Sequence, residues 1–141
     1  GLIGALKQRL DAVERRSGLE VNFSSKDEIE IPEDIEEELY RIAMEALNNA
    51  LKHANPTSVT VTLRKEEKRE VPCIALAVID DGLGFIPGKT DSEEGFGLIS
   101  MRGRIEKLGG ELDIISAPGE GTQVIACLYQ ERSTNPDAQE E

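Results

Sequence analysis

The chain has 141 residues, 38% hydrophobic and 31% charged, enough for one domain with an ordinary core. Twenty-eight acidic against sixteen basic residues leave a net charge of −12, which opposes attraction to DNA phosphates or an anionic membrane surface and argues against a nucleic-acid partner. The same acidity repels a phosphorylated ligand, so any phosphate site must bring its own positive charge through a metal ion, Lys or Arg, or helix N-terminal amides.

Leu2, Leu6, Leu10 and Val13 recur at helical spacing, with Gly18 as a stop after Arg15 and Arg16. Leu19, Val21 and Phe23 alternate as a half-buried strand. Pro32, Glu33 and Asp34 open the longest helix, because proline is tolerated in a first turn and carboxylates there favour the helix dipole. Its apolar stripe from Ile35 through Leu51 carries it to about Ala54, where Asn55-Pro56 ends it. Val59, Val61 and Leu63 alternate as a strand, and the charged run 65–70 reads as a hairpin loop. The apolar run 74–79 suits a central strand covered on both faces. Residues 82–94 read as a mobile segment of functional length. Leu98, Met101, Ile105 and Leu108 make a last helix closed by Gly109-Gly110. Two strands follow, around Leu112 to Ile114 and Val124 to Leu128, joined by a glycine-rich hairpin turn.

The expected fold class is α/β: a two-layer sandwich with a mixed sheet and helices on one face. The expected organisation is a lead-in helix at 1–17, one domain at 18–131 and a disordered acidic tail at 132–141. Cys73 and Cys127 lie in strand runs without metal-knuckle or redox spacing and read as buried reduced thiols of a cytosolic protein. No apolar run approaches membrane-span length, and no signal-peptide pattern opens the chain. The start, inside an apolar-periodic segment without Met, reads as part of a longer chain and leaves a membrane anchor elsewhere open. The isolated chain is expected to be monomeric.

Four clusters carry chemistry. On the long helix Glu45 and Asn49 are one turn apart, and Lys52 and His53 follow, so Glu45, Asn49 and one of these two project to one side. Two adjacent asparagines in a helix interior are unfavourable by propensity, and an exposed polar face is the plainer alternative. Asp80-Asp81-Gly82-Leu83-Gly84 ends the central strand, Gly95-Phe96-Gly97-Leu98 opens the last helix, and Gly119-Glu120-Gly121-Thr122 forms the late hairpin turn.

Their order over roughly residues 30 to 129 resembles the ATP-binding domain shared by bacterial sensor histidine kinases, type II topoisomerases, Hsp90 and MutL, the Bergerat-type fold. The Glu45, Asn49 and His53-Ala54 pattern with Met101-x-x-Arg104 looks like the NarX/DesK subgroup. The resemblance implies ATP and Mg²⁺ as cofactors. Asn49 offers its amide oxygen to the metal, Lys52 and His53 serve the phosphates, and Glu45 orients water or the incoming nucleophile. Asn48 has only a supporting role. The first aspartate, Asp80, takes the adenine amino group, which guanine lacks at that position. Gly82 and Gly84 permit close approach of the backbone. Gly95, Gly97 and Leu98 present helix amides to a phosphate, with a lid before them. Arg102 matches a phosphate-contacting arginine, although a solvated helix face also accounts for Arg102 and Arg104. Gly121 and Thr122, with Gly119, match the third glycine box, a pattern shared with ordinary hairpins.

His53, the only histidine, lies in the nucleotide helix, so the phosphoacceptor histidine is expected on a separate dimerisation domain. The implied function is transfer of the γ-phosphoryl of Mg-ATP to that histidine and onward to an aspartate of a response regulator, of the LuxR-type DNA-binding class that partners this subgroup. Two alternatives stand beside it: a serine/threonine kinase of the anti-sigma-factor type, and a non-catalytic nucleotide-sensing module.

Overall fold

The computed structural model describes residues 1–25, 29–87 and 93–129, with the backbone alone at 93–96. The tail expected at 132–141 and the central part of the expected lid, 88–92, lie outside the described residues. The elements are α1 (Leu2–Ser17), β1 (Glu20–Ser24), α2 (Glu33–Asn49), a π-helical turn (Ala50–Ala54), β2 (Ser58–Lys68), β3 (Val71–Asp80), α3 (Glu93–Lys107), β4 (Gly110–Ser116) and β5 (Thr122–Tyr129). The strands form one mixed sheet in the order β1-β2-β3-β5-β4. β1 runs parallel to β2, and every other neighbouring pair is antiparallel.

Alternation decides which sheet face is covered. Val59, Val61 and Leu63 of β2, Ile74, Leu76 and Val78 of β3, and Val124, Ala126 and Leu128 of β5 share a single core with the buried residues of all three helices. The helix stripes supply the other half: Leu2, Leu6, Leu10 and Val13 from α1, Ile35 to Leu47 from α2, and Leu98, Met101 and Ile105 from α3. The expected two-layer α/β sandwich is the fold observed. The lead-in helix packs into this core, and Gly18 ends it in the left-handed conformation, its N–H bonded to the Glu14 carbonyl.

Three local expectations change. The expected charged loop at 65–70 is mostly strand: β2 and β3 pair as far as Lys68 and Val71, leaving Arg69 and Glu70 as a two-residue turn, both at positive φ. Charge spacing alone hid this, because long polar side chains on an uncovered strand end look the same as a loop. β3 is covered by helices on one face only. On its other face Cys73 and Ala75 are still buried, among small residues and beneath the side chains of Lys68, Glu111 and Tyr129, which hydrogen-bond one another nearby. Both cysteines are free and buried, and burial with the neighbouring Cys73 thiol pushes Cys127 up to about 12. Finally, α3 begins at Glu93, ahead of the first glycine of its cluster.

Candidate nucleotide site

A cleft of about 420 Å³, counted out to its open mouth, lies between the end of α2 with its π turn, the start of α3, and the facing ends of β3 and β5. Asn49, His53, Asp80, Gly84, Leu98 and Thr122 line it, six residues singled out by the sequence pattern from four separate clusters. Apolar walls come from Ala46, Ala50, Ala54, Val78, Phe85 and Val124. Those residues were invisible as site residues because their pattern is indistinguishable from core.

The π turn explains how the helix serves this cleft. Each residue of a π turn advances less around the axis than in an α-helix, so the face carrying Asn49 at position 49 is met again by position 53. His53 therefore lines the cleft, whereas Lys52 is exposed and does not line it. Asn55 closes the turn in the left-handed conformation, which asparagine tolerates better than most residues.

Asp80 stands at the end of β3, 8% exposed, and pairs in register with Thr122 at the start of β5. Gly82 donates its N–H to Asp80 Oδ1 at 2.8 Å. Burial is the main cause that pushes the Asp80 carboxyl above its ordinary value. The Gly82 amide opposes it, Asp81 adds to the rise, and the Thr122 amide opposes it. The cleft thus holds one buried carboxyl on a strand end, oriented by backbone donors.

The glycine clusters interlock around this carboxyl. A Cβ on Gly82 would meet the Ala54 carbonyl oxygen at 2.4 Å, one on Gly84 that of Ala117 at 2.1 Å, and one on Gly121 that of Asp80 at 2.2 Å. Leu83 N–H bonds to Ala54 O at 2.8 Å and Gly119 N–H to Leu83 O at 2.7 Å, tying the π turn, the 82–84 loop and the late hairpin together. Ser116 joins the same knot. Its hydroxyl accepts from the Phe85 N–H, donates to Gly121 O, and meets Thr122 Oγ1 at 2.8 Å. Neither Ser116 nor Phe85 carried a signal in the sequence, since a serine ending a strand and an aromatic in a loop are commonplace.

Asp81, adjacent to the site, is a brace. Its carboxylate accepts from Thr57 N, Thr57 Oγ1 and Ser58 N at 2.8, 2.5 and 3.0 Å, binding the start of β2 to the end of β3. These donors hold its carboxyl down to about 2 against an ordinary 3.8. The folded state therefore gains stability from Asp81 above about pH 4, and loses it as the pH falls from about 4 towards 2. Chemical denaturation from pH 6 to 2 is expected to show Asp81→Asn less stable than the unsubstituted protein at pH 6, with the gap closing towards pH 2. A gap independent of pH would overturn this assignment.

The remaining expected residues are placed as follows. A Cβ on Gly97 would lie 2.3 Å from Glu45 Oε2, so the Glu45 carboxylate rests against the α3 backbone, and Glu45 does not itself line the cleft. Because α3 starts at Glu93, the backbone of Gly95 is in its first turn, while Gly97 and Leu98 fall in the second. The glycine cluster expected to open the last helix therefore sits inside it, from its third residue onward. A single glycine-rich tetrapeptide does not mark the helix start, because glycine occurs inside a helix as well as before it. Arg102 donates from Nε to Leu112 O at 3.2 Å on β4 and does not line the cleft. Arg104 pairs with Glu38 of α2, Nε to Oε2 at 3.2 Å, with Glu38 only 8% exposed. The arginine of the Met-x-x-Arg pattern thus clamps α3 to α2.

Residues 34–132 match the family described as histidine kinase-, DNA gyrase B- and HSP90-like ATPase. The chain belongs to this family. It is 35% identical over 130 residues to the signal transduction histidine-protein kinase/phosphatase DegS of Brevibacillus brevis, covering 91% of this chain and 32% of that protein. It is 32% identical over 124 residues to the sensor histidine kinase LiaS of Bacillus subtilis, covering 88% of this chain and 33% of LiaS. UhpB of Salmonella typhimurium is 38% identical over 104 residues, 74% of this chain and 19% of UhpB. The chain therefore spans about a third or less of these relatives. A blue-light activated histidine kinase from Erythrobacter litoralis superposes with a TM-score of 0.69 at 27% identity, over 94% of this chain and 42% of that one. Within the family the chain is the ATPase domain of sensor histidine kinases of the DegS, LiaS, VraS and UhpB group, which is the domain of two-component signalling that binds ATP. No helix among the described residues is long and apolar enough to cross a membrane.

Proposed function

We propose that this domain binds Mg-ATP and donates its γ-phosphoryl to a histidine on a separate dimerisation domain, from which it passes to an aspartate of a response regulator, of the LuxR type by the chain's subgroup. The observation that carries the reading is the joint lining of one cleft by Asp80 and Thr122 at the strand ends and by Asn49 and His53 on the helix and π turn. Asp80 accepts from the adenine amino group, and a ligand lacking that donor leaves a buried acceptor unpaired. Asn49 and His53 then face the phosphates.

The residues fit a magnesium ion. Asn49 offers a hard amide oxygen beside the cleft, as suits a cation that takes its other ligands from phosphates and water. When bound, it neutralises phosphate charge. The chain's own work is positioning: Asp80 fixes the base, the apolar walls exclude water, and Glu45, one helical turn before Asn49, hydrogen-bonds the incoming imidazole. The imidazole nitrogen forms its bond to phosphorus as the bond to the β–γ bridging oxygen breaks, and ADP leaves with that electron pair. Lys52 lies on the exposed side of the π turn, where it meets phosphates only if the turn or its own long side chain swings over the mouth.

The proposed organisation keeps α1 as the connection to the dimerisation domain and places the chain in the cytoplasm. The test is calorimetric titration with a non-hydrolysable ATP analogue, with and without Mg²⁺, for the unsubstituted chain and Asn49→Ala. Saturable binding is expected, strengthened by Mg²⁺ in the unsubstituted chain and about equally strong with and without it in Asn49→Ala. Absence of binding to folded protein would overturn the reading.

A further inference from the structure

Asp80, Thr122 and Ser116 stand in one row across three strands. Asp80 of β3 is in register with Thr122 of β5, and Thr122 with Ser116 of β4. Residues opposite one another on paired strands share a sheet face, and here it is the helix-covered face of Val78 and Val124. Asp80 and Thr122 line the cleft, whereas Ser116, on the far side of Thr122, does not.

The hydrogen bonds of Ser116 have one consistent direction. Its oxygen has three partners: the Phe85 N–H at 2.9 Å, the Gly121 carbonyl oxygen at 2.9 Å and Thr122 Oγ1 at 2.8 Å. A serine hydroxyl carries a single hydrogen. Gly121 O can only accept, so that hydrogen goes to it, because otherwise two oxygens would face each other at 2.9 Å with no hydrogen between them. Phe85 N can only donate. The Thr122 hydroxyl therefore donates to Ser116, and its hydrogen is turned towards β4.

Resting on the seat of the base at Asp80 proposed above, we infer that Ser116 is a positioning residue for base selection: by taking the Thr122 hydrogen, it leaves Thr122 Oγ1 facing the base as an acceptor only. An ionised Asp80 also accepts only. The strand ends thus offer two neighbouring acceptors, matched to a 6-amino group, which has two hydrogens, and opposed to a 6-oxo group, which has none. A threonine hydroxyl without that tie turns its hydrogen to an oxo group as readily as it turns its lone pairs to an amine. Asp80 seats the base, and the fixed Thr122 sharpens the choice on a base so held.

The test is titration with non-hydrolysable adenosine and inosine triphosphate analogues, the second carrying an oxygen in place of the 6-amino group. The readout is the ratio of the two dissociation constants, which a loss of packing alone does not move, because it weakens both analogues alike. The unsubstituted chain is expected to prefer the adenosine analogue, and Ser116→Ala to cut that preference about tenfold. Thr122→Val removes the hydroxyl at nearly equal size and is expected to narrow the ratio as well. Adding Ser116→Ala to Thr122→Val is then expected to change the ratio no further. Ser116→Cys, whose sulfur is a poor acceptor, gives the same reading if thermal melts show Ser116→Ala unfolded. An unchanged ratio in folded Ser116→Ala or Ser116→Cys would overturn the role of Ser116. So would an equal drop in the Thr122→Val background, because Ser116 would then act by another route. Failure of the unsubstituted chain to prefer the adenosine analogue would instead overturn the seat of the base at Asp80, and this inference with it.

Discussion

Asp80→Ala is expected to weaken ATP-analogue binding by about 100-fold, the equivalent of ~2.7 kcal/mol, and to abolish the preference for adenine over guanine nucleotides. The carboxyl is buried at the end of β3, and its orientation is set by the Gly82 N–H at 2.8 Å and by the Thr122 amide across the register. Removing it deletes the only buried carboxyl lining the cleft among the described residues, and leaves two backbone donors without their partner. Some loss of fold stability is therefore expected too, about 1–3 kcal/mol. Asp80→Asn separates the two effects. The amide keeps the size and an oxygen acceptor but must place its NH₂ against a donor on one side, so binding is expected to fall by only about tenfold with the fold nearly intact. Titration with ATP and GTP analogues, each beside a denaturation curve, measures both. Equal ATP affinity in folded Asp80→Ala would remove Asp80 from the base-reading role.

Gly121→Ala is expected to destabilise the domain by about 3 kcal/mol or more, and to weaken nucleotide binding with it. Gly121 has φ +76°, and its added Cβ would lie 2.2 Å from the Asp80 carbonyl oxygen, a backbone atom that cannot swing aside. The strand pairing of Asp80 with Thr122 must open to admit the methyl, and that displaces two cleft residues together. Gly119 is the control. It too has positive φ, +81°, yet nothing lies within 4 Å of its added Cβ, so Gly119→Ala is expected to cost only the left-handed penalty of about 1–2 kcal/mol. Urea denaturation of the two variants measures the difference. Equal destabilisation would mean that conformation alone, and not the close approach to Asp80, requires Gly121.

The sequence by itself determined the class of fold and the order of the site. Periodicity of two in β2, β3 and β5 and of 3.6 in the helices marked the core, because a half-buried strand or helix must place apolar residues at those intervals. The glycine clusters could be located because close backbone approaches exclude a Cβ whatever the surrounding fold, and the asparagine helix because two polar amides in a helix interior contradict local propensity. Tertiary structure decided the rest. The π turn that brings His53 into the cleft and leaves Lys52 outside is a phase shift of one residue, with no composition of its own. Arg102 and Arg104 were legible as helix residues, but their partners, Leu112 O on β4 and Glu38 on α2, come from sequence-distant elements. Ser116, Phe85 and the Asp81 brace depend on the same long-range registration of β2 with β3 and of β4 with β5. A side chain's type sets which bonds it makes, and only the packed chain sets which partner is within about 3 Å.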